Sequence, residues 1–283
     1  MPPVPLGDFE IWLIRPSVYW WDGGVLFGVV PKTLWSRKCP ADELNRIPLG
    51  FNSYVIRTGD HTILLETGPG DKMDARARER AKMPAVPEPL PEAIARHGLD
   101  PEAIDIVVNS HLHWDHASGN TVLHGDRAVA AFPRARYFAP RGEWERAHER
   151  HVRDSVAYIH ANYDPLVESG QMTLVDGDHE VAPGVWMRHA PGHTRAMTVV
   201  TATSRGQTFC FLSDLVPLAA HVQPTWVAAL DLYPLESIAT KTRWLAAAVE
   251  GNWICGFGHD PQADFVRIHA DPKTRFAAST LGD

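Results

Sequence analysis

Short apolar runs separated by Gly, Pro and Asn recur along the chain. Phe9–Ile14 (FEIWLI) reads as a strand, and so does Val25–Val30, which Pro31 closes. A polar, Pro-containing stretch follows to Leu49. Asn52–Arg57 and Thr62–Glu66 flank Thr58-Gly59-Asp60-His61, which predicts a β-hairpin leading into the tight loop Thr67-Gly68-Pro69-Gly70. Lys72–Lys82 is charged and helical in composition. Prolines at 84, 87, 89 and 91 interrupt it, and Pro91 can open a second helix that Gly98 stops. Ile104–Val108 is short and mostly β-branched, as a buried strand should be, and His111 lies just beyond its end. Arg141–Tyr163 reads as one long, charge-rich helix. Met172–Val175, Val185–His189, Met197–Thr203 and Thr208–Leu212 read as strands. Leu235–Val249 is amphipathic, with Leu235, Ile238, Leu245 and Val249 on one face and Pro234 at its start. This order predicts mixed α/β layers. No low-complexity segment, long linker or short-period repeat interrupts it, so one domain is expected over 1–283.

Composition narrows the class. With 283 residues, 45% of them apolar and 22% charged, the chain is globular rather than disordered or fibrous. Its net charge of -7 argues against a partner such as nucleic acid, which a basic surface would grip. The three cysteines, Cys39, Cys210 and Cys255, lie far apart with no CxxC pair, and read as reduced thiols. No basic segment precedes an apolar run near the start, and no run approaches the roughly 18 apolar residues of a membrane span. The expectation is a soluble, cytoplasmic protein with no membrane partner. Fifteen histidines, unevenly placed, are what changes the picture.

In His111-Leu112-His113-Trp114-Asp115-His116, four metal-capable side chains occupy six residues directly after the predicted strand 104–108. In extended backbone His111 and His113 point the same way and can share one ion. Asp115 and His116 follow where the chain should turn, and can face a second position. A lone histidine reads as solvated; this cluster does not. Three later segments repeat the pattern of a polar ligand after a strand: Gly192-His193, Ser213-Asp214 and Gly258-His259. Together they offer five His and two Asp, enough for two ions. A donor set of imidazole and carboxylate without thiolate suits Zn²⁺ first, and also Mn²⁺, Fe²⁺ or Co²⁺.

The HxHxDH run with the downstream His193, Asp214 and His259 resembles the metallo-β-lactamase superfamily, from the hairpin near residue 52 to His259. The resemblance implies an αββα four-layer sandwich with a two-metal site at one edge of the paired sheets. It adds an N-terminal extension over about 1–48 and a helical insert over about 141–163. By the same resemblance His111, His113 and His193 hold one ion, Asp115, His116 and His259 hold the other, and Asp214 bridges both. Asp214 separates the chain from the β-lactamase branches, and His113 stands where flavodiiron proteins carry Glu. The segments 22–35, 111–120 and 231–244 are similar to the acyl-homoserine lactonase and methyl parathion hydrolase branch.

That branch implies a hydrolase that opens lactones or cleaves carboxylic esters with a metal-bridging hydroxide, Asp115 passing a proton to the leaving alkoxide. The alternative is a phosphotriesterase; a glyoxalase II-type thioesterase or a nuclease ranks lower. Lactonases of the branch carry a substrate-contacting Tyr, for which Tyr233 and His221 are the candidates. Glu66 stands where the loop more often has Asp, which puts its contact to a ligand His in question. Ser110 and Ser213 flank ligands without a nucleophile elbow and read as supporting residues. Trp114, His221, Trp226 and Tyr233 are the expected pocket residues, and aromatic walls favour a small-molecule substrate with an apolar portion. The Trp20, Trp21 and Trp35 stretch either caps the site or makes a homodimer contact. His148, His151 and His160, on the predicted long helix, read as solvated.

Overall fold

Strands buried on both faces account for the unbroken apolar runs. In the computed structural model, which describes residues 2–84 and 88–282, Trp12 and Ile14 face one core while Ile11 and Leu13 face another. Val55, Leu64 and Val107 repeat this against Tyr54, Ile63 and Val108, as the period of two in a strand requires. The first seven-stranded sheet runs in the order Val4–Leu6, Phe9–Ile14, Ser53–Arg57, Thr62–Leu65, Ile106–Val108, Arg136–Pro140, Met172–Val175. The second is His179–Ala182, Val185–His189, Thr198–Ser204, Gln207–Phe211, Ile254–Gly256, Val266–Asp271, Arg275–Thr280. Their inner faces share a core that includes Ile11, Ile56, Val185, Phe209 and Phe211. The helices Leu90–Arg96 and Arg141–Glu149 cover the first sheet through Ile94 and Ala147, and Pro234–Glu250 covers the second through Leu245 and Ala248. The layers are therefore αββα, as expected.

The predicted hairpin and the strands beginning at Phe9, Met172 and Val185 form as expected. Other expectations change. Val25–Val30 is not a strand: Gly23–Phe27 is a short helix, capped by Asp22 accepting from Gly24 N (2.7 Å) and ended by Gly28 at φ 52°. The long helix over 141–163 stops at Glu149, where Arg150 turns left-handed (φ 47°). Two 3₁₀ turns, Ser155–Ala157 and His160–Asn162, then lead to the helix Asp164–Glu168. The Arg146 guanidinium grips both oxygens of Asp154 at 3.0 Å, folding this segment back on the helix. The helix expected over 72–82 is confined to Ala75–Arg80, and Pro87 lies outside the described residues.

The Pro234–Glu250 helix buries Ser237, Lys241, Leu245 and Ala248, leaving Leu235 82% exposed, so its inward face is rotated from the expected one. Small Ser237 is needed there because Gly192 (φ 148°) packs directly on it; a Cβ at Gly192 would come within 2.5 Å. The first 48 residues are not simply an extension. Val4–Leu6 and Phe9–Ile14 belong to the first sheet, and Val18–Asp22 pairs with Arg46–Gly50 in a separate ribbon beside the HxHxDH loop. Among the described residues no helix is long and apolar enough to cross a membrane.

Candidate metal centre

All the predicted ligands leave strand ends on the same side of the sandwich. The strand Ile106–Val108 runs parallel to both its neighbours and releases Asn109–His116 at its C-terminal end. Val185–His189 leads to His193. Gln207–Phe211 and Ile254–Gly256, a parallel pair, lead to Asp214 and His259. Ligands gather at such strand ends in layered α/β folds because the loops there converge.

Ligand atoms of three sets lie within 4.8 Å of one another: His111, His113 and His193; His111, His116 and Asp214; Asp115, His116 and His259. Asp214 stands between the halves. Its Oδ2 faces His193 Nε2 (3.4 Å) and His111 Nε2 (3.9 Å), while its Oδ1 faces His259 Nε2 (3.0 Å) and His116 Nε2 (3.4 Å). Asp115 Oδ1 lies 3.9 Å from His116 Nε2, and its Oδ2 3.7 Å from His259 Nε2. His193 Nε2 is 3.1 Å from His113 Nδ1, and His259 Nε2 is 3.2 Å from His116 Nε2.

The chain alone does not satisfy these groups. His111 Nε2 and Asp214 Oδ1 are buried without a properly aligned hydrogen bond. Burial disfavours charge on every imidazole, and for His111 and His113 it prevails, holding their pKa values well below the ordinary value. At His193 and His116 the nearby carboxylates, Asp214 foremost, outweigh burial and raise the pKa to about 9 and about 10. Burial alone would raise Asp214, but His116, His259 and His193 hold it well below the usual carboxylate range. Protons on the imidazoles thus supply positive charge that cations would supply instead. The donor set fits two divalent ions.

The other ring nitrogens are anchored. His193 Nδ1 is 3.0 Å from Asp231 Oδ1, His259 Nδ1 is 3.0 Å from the Gly50 carbonyl, and His111 Nδ1 is 2.9 Å from Ser110 Oγ. Ser110 Oγ in turn lies 2.6 Å from Ser213 Oγ. Glu66, buried at φ 59°, accepts from Ser110 N (2.9 Å) and places Oε2 3.7 Å from His116 Nδ1. The longer side chain therefore still faces His116, one of the predicted ligands. Such partners fix the tautomer and direction of each ligating nitrogen.

The family model described as metallo-beta-lactamase superfamily matches residues 47–259. The chain belongs to the metallo-beta-lactamase superfamily. An N-acyl homoserine lactonase from a Bacillus species is 28% identical over 151 residues, 50% of this chain and 53% of that protein. The chain thus spans about half the length of that curated relative. A crystal structure of a probable metal-dependent hydrolase from Staphylococcus aureus is 29% identical, with a TM-score of 0.89 over 99% of both chains. AidC, a dizinc quorum-quenching lactonase, shares the fold at 16% identity, with a TM-score of 0.80 over 99% of this chain and 97% of that one.

Against this metallo-beta-lactamase centre opens a cavity of about 360 Å³ that Asp115, His113, His193, Asp214 and His259 border. Trp21, Leu26, Trp114, Val156, Leu230 and Leu232 make its walls apolar. Trp114 lies on this cavity. His221, Trp226 and Tyr233 are not among its lining residues. His221 is stacked on Phe27 (4.7 Å) behind Leu26, with Nε2 2.7 Å from the Leu26 carbonyl. Trp226 meets the same Phe27 edge-on. Tyr233 lies under Arg195, on a separate cavity against the Arg141–Glu149 helix. Two residues were missed. Tyr19 lines the cavity from the Val18–Asp22 strand, stacked on Phe51 (4.2 Å); burial and the Asp115 and Asp214 carboxylates raise its pKa well above the ordinary value, so the phenol keeps its proton. Asp231 orients His193. The aromatic run Tyr19-Trp20-Trp21, and an Asp three residues before the proline that opens a helix, were the available signals.

Proposed function

We propose that the chain is a binuclear-metal hydrolase that opens lactones, or cleaves carboxylic esters, bearing an apolar arm. The observation that carries this reading is the division of Asp214 between two imidazole sets beside a cavity with apolar walls. The kinship with N-acyl homoserine lactonases supports the substrate class. His111, His113 and His193 would hold one ion, Asp115, His116 and His259 the other, with Asp214 common to both; zinc is the first choice for this donor set. Ions held there supply Lewis acidity and an activated water at neutral pH.

The protein's own residues do the rest. Trp21, Trp114, Leu26 and Leu230 seat the apolar arm and exclude water from it. That arm can extend past Trp114 and Val156, which also border a neighbouring cavity of about 660 Å³. Tyr19 offers its phenolic O–H, the kind of donor that orients a substrate carbonyl. Asp115, on the cavity wall, would take the proton that the attacking water releases and pass it on to the leaving alkoxide.

The test is alkali uptake in a pH-stat with zinc-loaded protein and a medium-chain acyl lactone. Turnover is expected in the wild type and near-abolition in Asp115→Asn with most of the metal retained. An Asp115→Asn protein turning over at the wild-type rate would remove the proton role. A metal-replete wild type without lactone turnover would remove the lactonase reading.

A further inference from the structure

Away from the paired centre, His148, His160 and Asp164 bring a second group of metal-capable atoms within 4.8 Å of one another. The first is on the Arg141–Glu149 helix, the second on the 3₁₀ turn His160–Asn162, and the third opens the helix Asp164–Glu168. They are not independently solvated residues of one long helix. His148 Nε2 and His160 Nδ1 converge on a single oxygen, Asp164 Oδ2, at 3.2 and 2.9 Å, with their rings edge to face 4.5 Å apart. Trp144 Nε1–H donates to the other oxygen, Oδ1, at 3.0 Å and fixes the carboxylate plane.

The tautomer makes this arrangement informative. His148 Nδ1 lies 2.8 Å from the Trp144 carbonyl. A carbonyl only accepts, so Nδ1 carries the hydrogen. In the neutral ring Nε2 is then a bare lone pair aimed at a carboxylate oxygen, which has no hydrogen to give. Something must lie between them: either a shared hydrogen-bonding proton or a cation held by the three side chains. Two imidazoles turned toward one carboxylate oxygen match the second case, a His₂Asp donor set with open positions for water. The side chains are 37%, 29% and 24% exposed, so an ion can reach them from solvent.

We propose that His148, His160 and Asp164 bind a divalent transition-metal ion, separate from the paired centre, which clips together the two ends of segment 150–159. This segment supplies Arg153, Val156 and Ala157 to the wall of the cavity. Its inner side is already tied down: Tyr158 bridges the backbone of His113 and donates its O–H to Glu143 (3.1 Å). The clip fixes the outer side and so the position of the wall. The proposal stands on this cluster alone and does not require the hydrolase reading.

The experiment is a metal count per chain on the full-length protein after equilibrium dialysis against buffered micromolar Zn²⁺ near neutral pH. Wild type is compared with His148→Asn and His160→Asn, each shown by circular dichroism to be folded. The expected result is one ion fewer per chain in each variant. Because the difference is read, occupancy of the paired centre cancels. Zn²⁺ should also slow amide hydrogen exchange over 150–159 at least tenfold in the wild type and leave it unchanged in the variants. Equal counts in all three proteins, or equal slowing by Zn²⁺, would overturn the site and leave a hydrogen-bonded cluster of the three side chains.

Discussion

Replacing Asp231 by Ala should weaken metal binding without unfolding the protein. Asp231 is held by the backbone: Leu232 N donates to the His193 carbonyl (3.0 Å) and Tyr233 N to that of Gly192 (2.9 Å). This keeps Asp231 Oδ1 3.0 Å from His193 Nδ1, with both side chains almost fully buried. With an ion bound, the carboxylate would keep the hydrogen on Nδ1 and leave Nε2, which faces His113 and Asp214, free to ligate. Alanine leaves a buried N–H without an acceptor, a cost of about 2 kcal/mol. If that cost falls on the bound state, it corresponds to about a 30-fold rise in Kd at 1.4 kcal/mol per decade. The figure agrees with the roughly 10–100-fold usual for partners of ligating histidines. Asp231→Asn, which keeps an acceptor oxygen without the charge, should fall between. Competition with a chromophoric zinc chelator measures the Kd. An unchanged Kd in Asp231→Ala would refute the orienting role, because the buried hydrogen bond would then contribute nothing to the direction of His193.

Tyr19→Phe should lower kcat/KM for an acyl lactone by about tenfold, the value of one hydrogen bond near 1.4 kcal/mol, with the metal content unchanged; an unaltered kcat/KM would show that the phenol does not touch substrate. Glu143, fully buried and with its pKa raised by burial, accepts from Thr194 Oγ1 (2.5 Å) and Tyr158 OH (3.1 Å). Glu143→Ala strands both hydroxyls and should cost about 3 kcal/mol in urea unfolding of the metal-free protein. Lys241 is buried with Nζ donating to the Trp226 carbonyl, and burial lowers its pKa from 10.5 to about 8. Below pH 8 the fold bears the whole cost of the buried charge, about 3 kcal/mol; between 8 and 10.5 the unfolded chain binds more protons, so this contribution to stability rises with pH. Lys241→Met should remove that rise, seen as a smaller gain in unfolding free energy between pH 7 and pH 10 than in the wild type.

Those residues whose chemistry is written locally were legible in the chain. His111, His113, Asp115 and His116 lie within one turn after a strand, so their convergence needs almost no tertiary information. His193, Asp214 and His259 each follow an apolar run by a few residues, and the parallel strands carry them to the same edge. Tyr19 and Asp231 were not legible. Tyr19 reaches the site only because Val18–Asp22 pairs with Arg46–Gly50, and Asp231 only because residues 232–233 pair with 192–193. The segment 141–163 misled for a different reason. Its composition favours helix throughout, but Arg150 adopts the left-handed conformation and Arg146 holds Asp154 back against the helix, so tertiary ion pairing overrode propensity. Val25–Val30 misled because apolar periodicity over so few residues does not separate strand from helix, and the Asp22 cap decided it.

We propose a paired metal centre that opens lactones beside an apolar cavity. Its most direct test is kcat/KM for a medium-chain acyl lactone, an aryl ester and an aryl phosphotriester, measured on one zinc-loaded preparation with a counted metal content. The lactone should be foremost, with loss of all lactone turnover in Asp214→Ala. A preference for the phosphotriester, or lactone turnover that survives removal of Asp214, would contradict it.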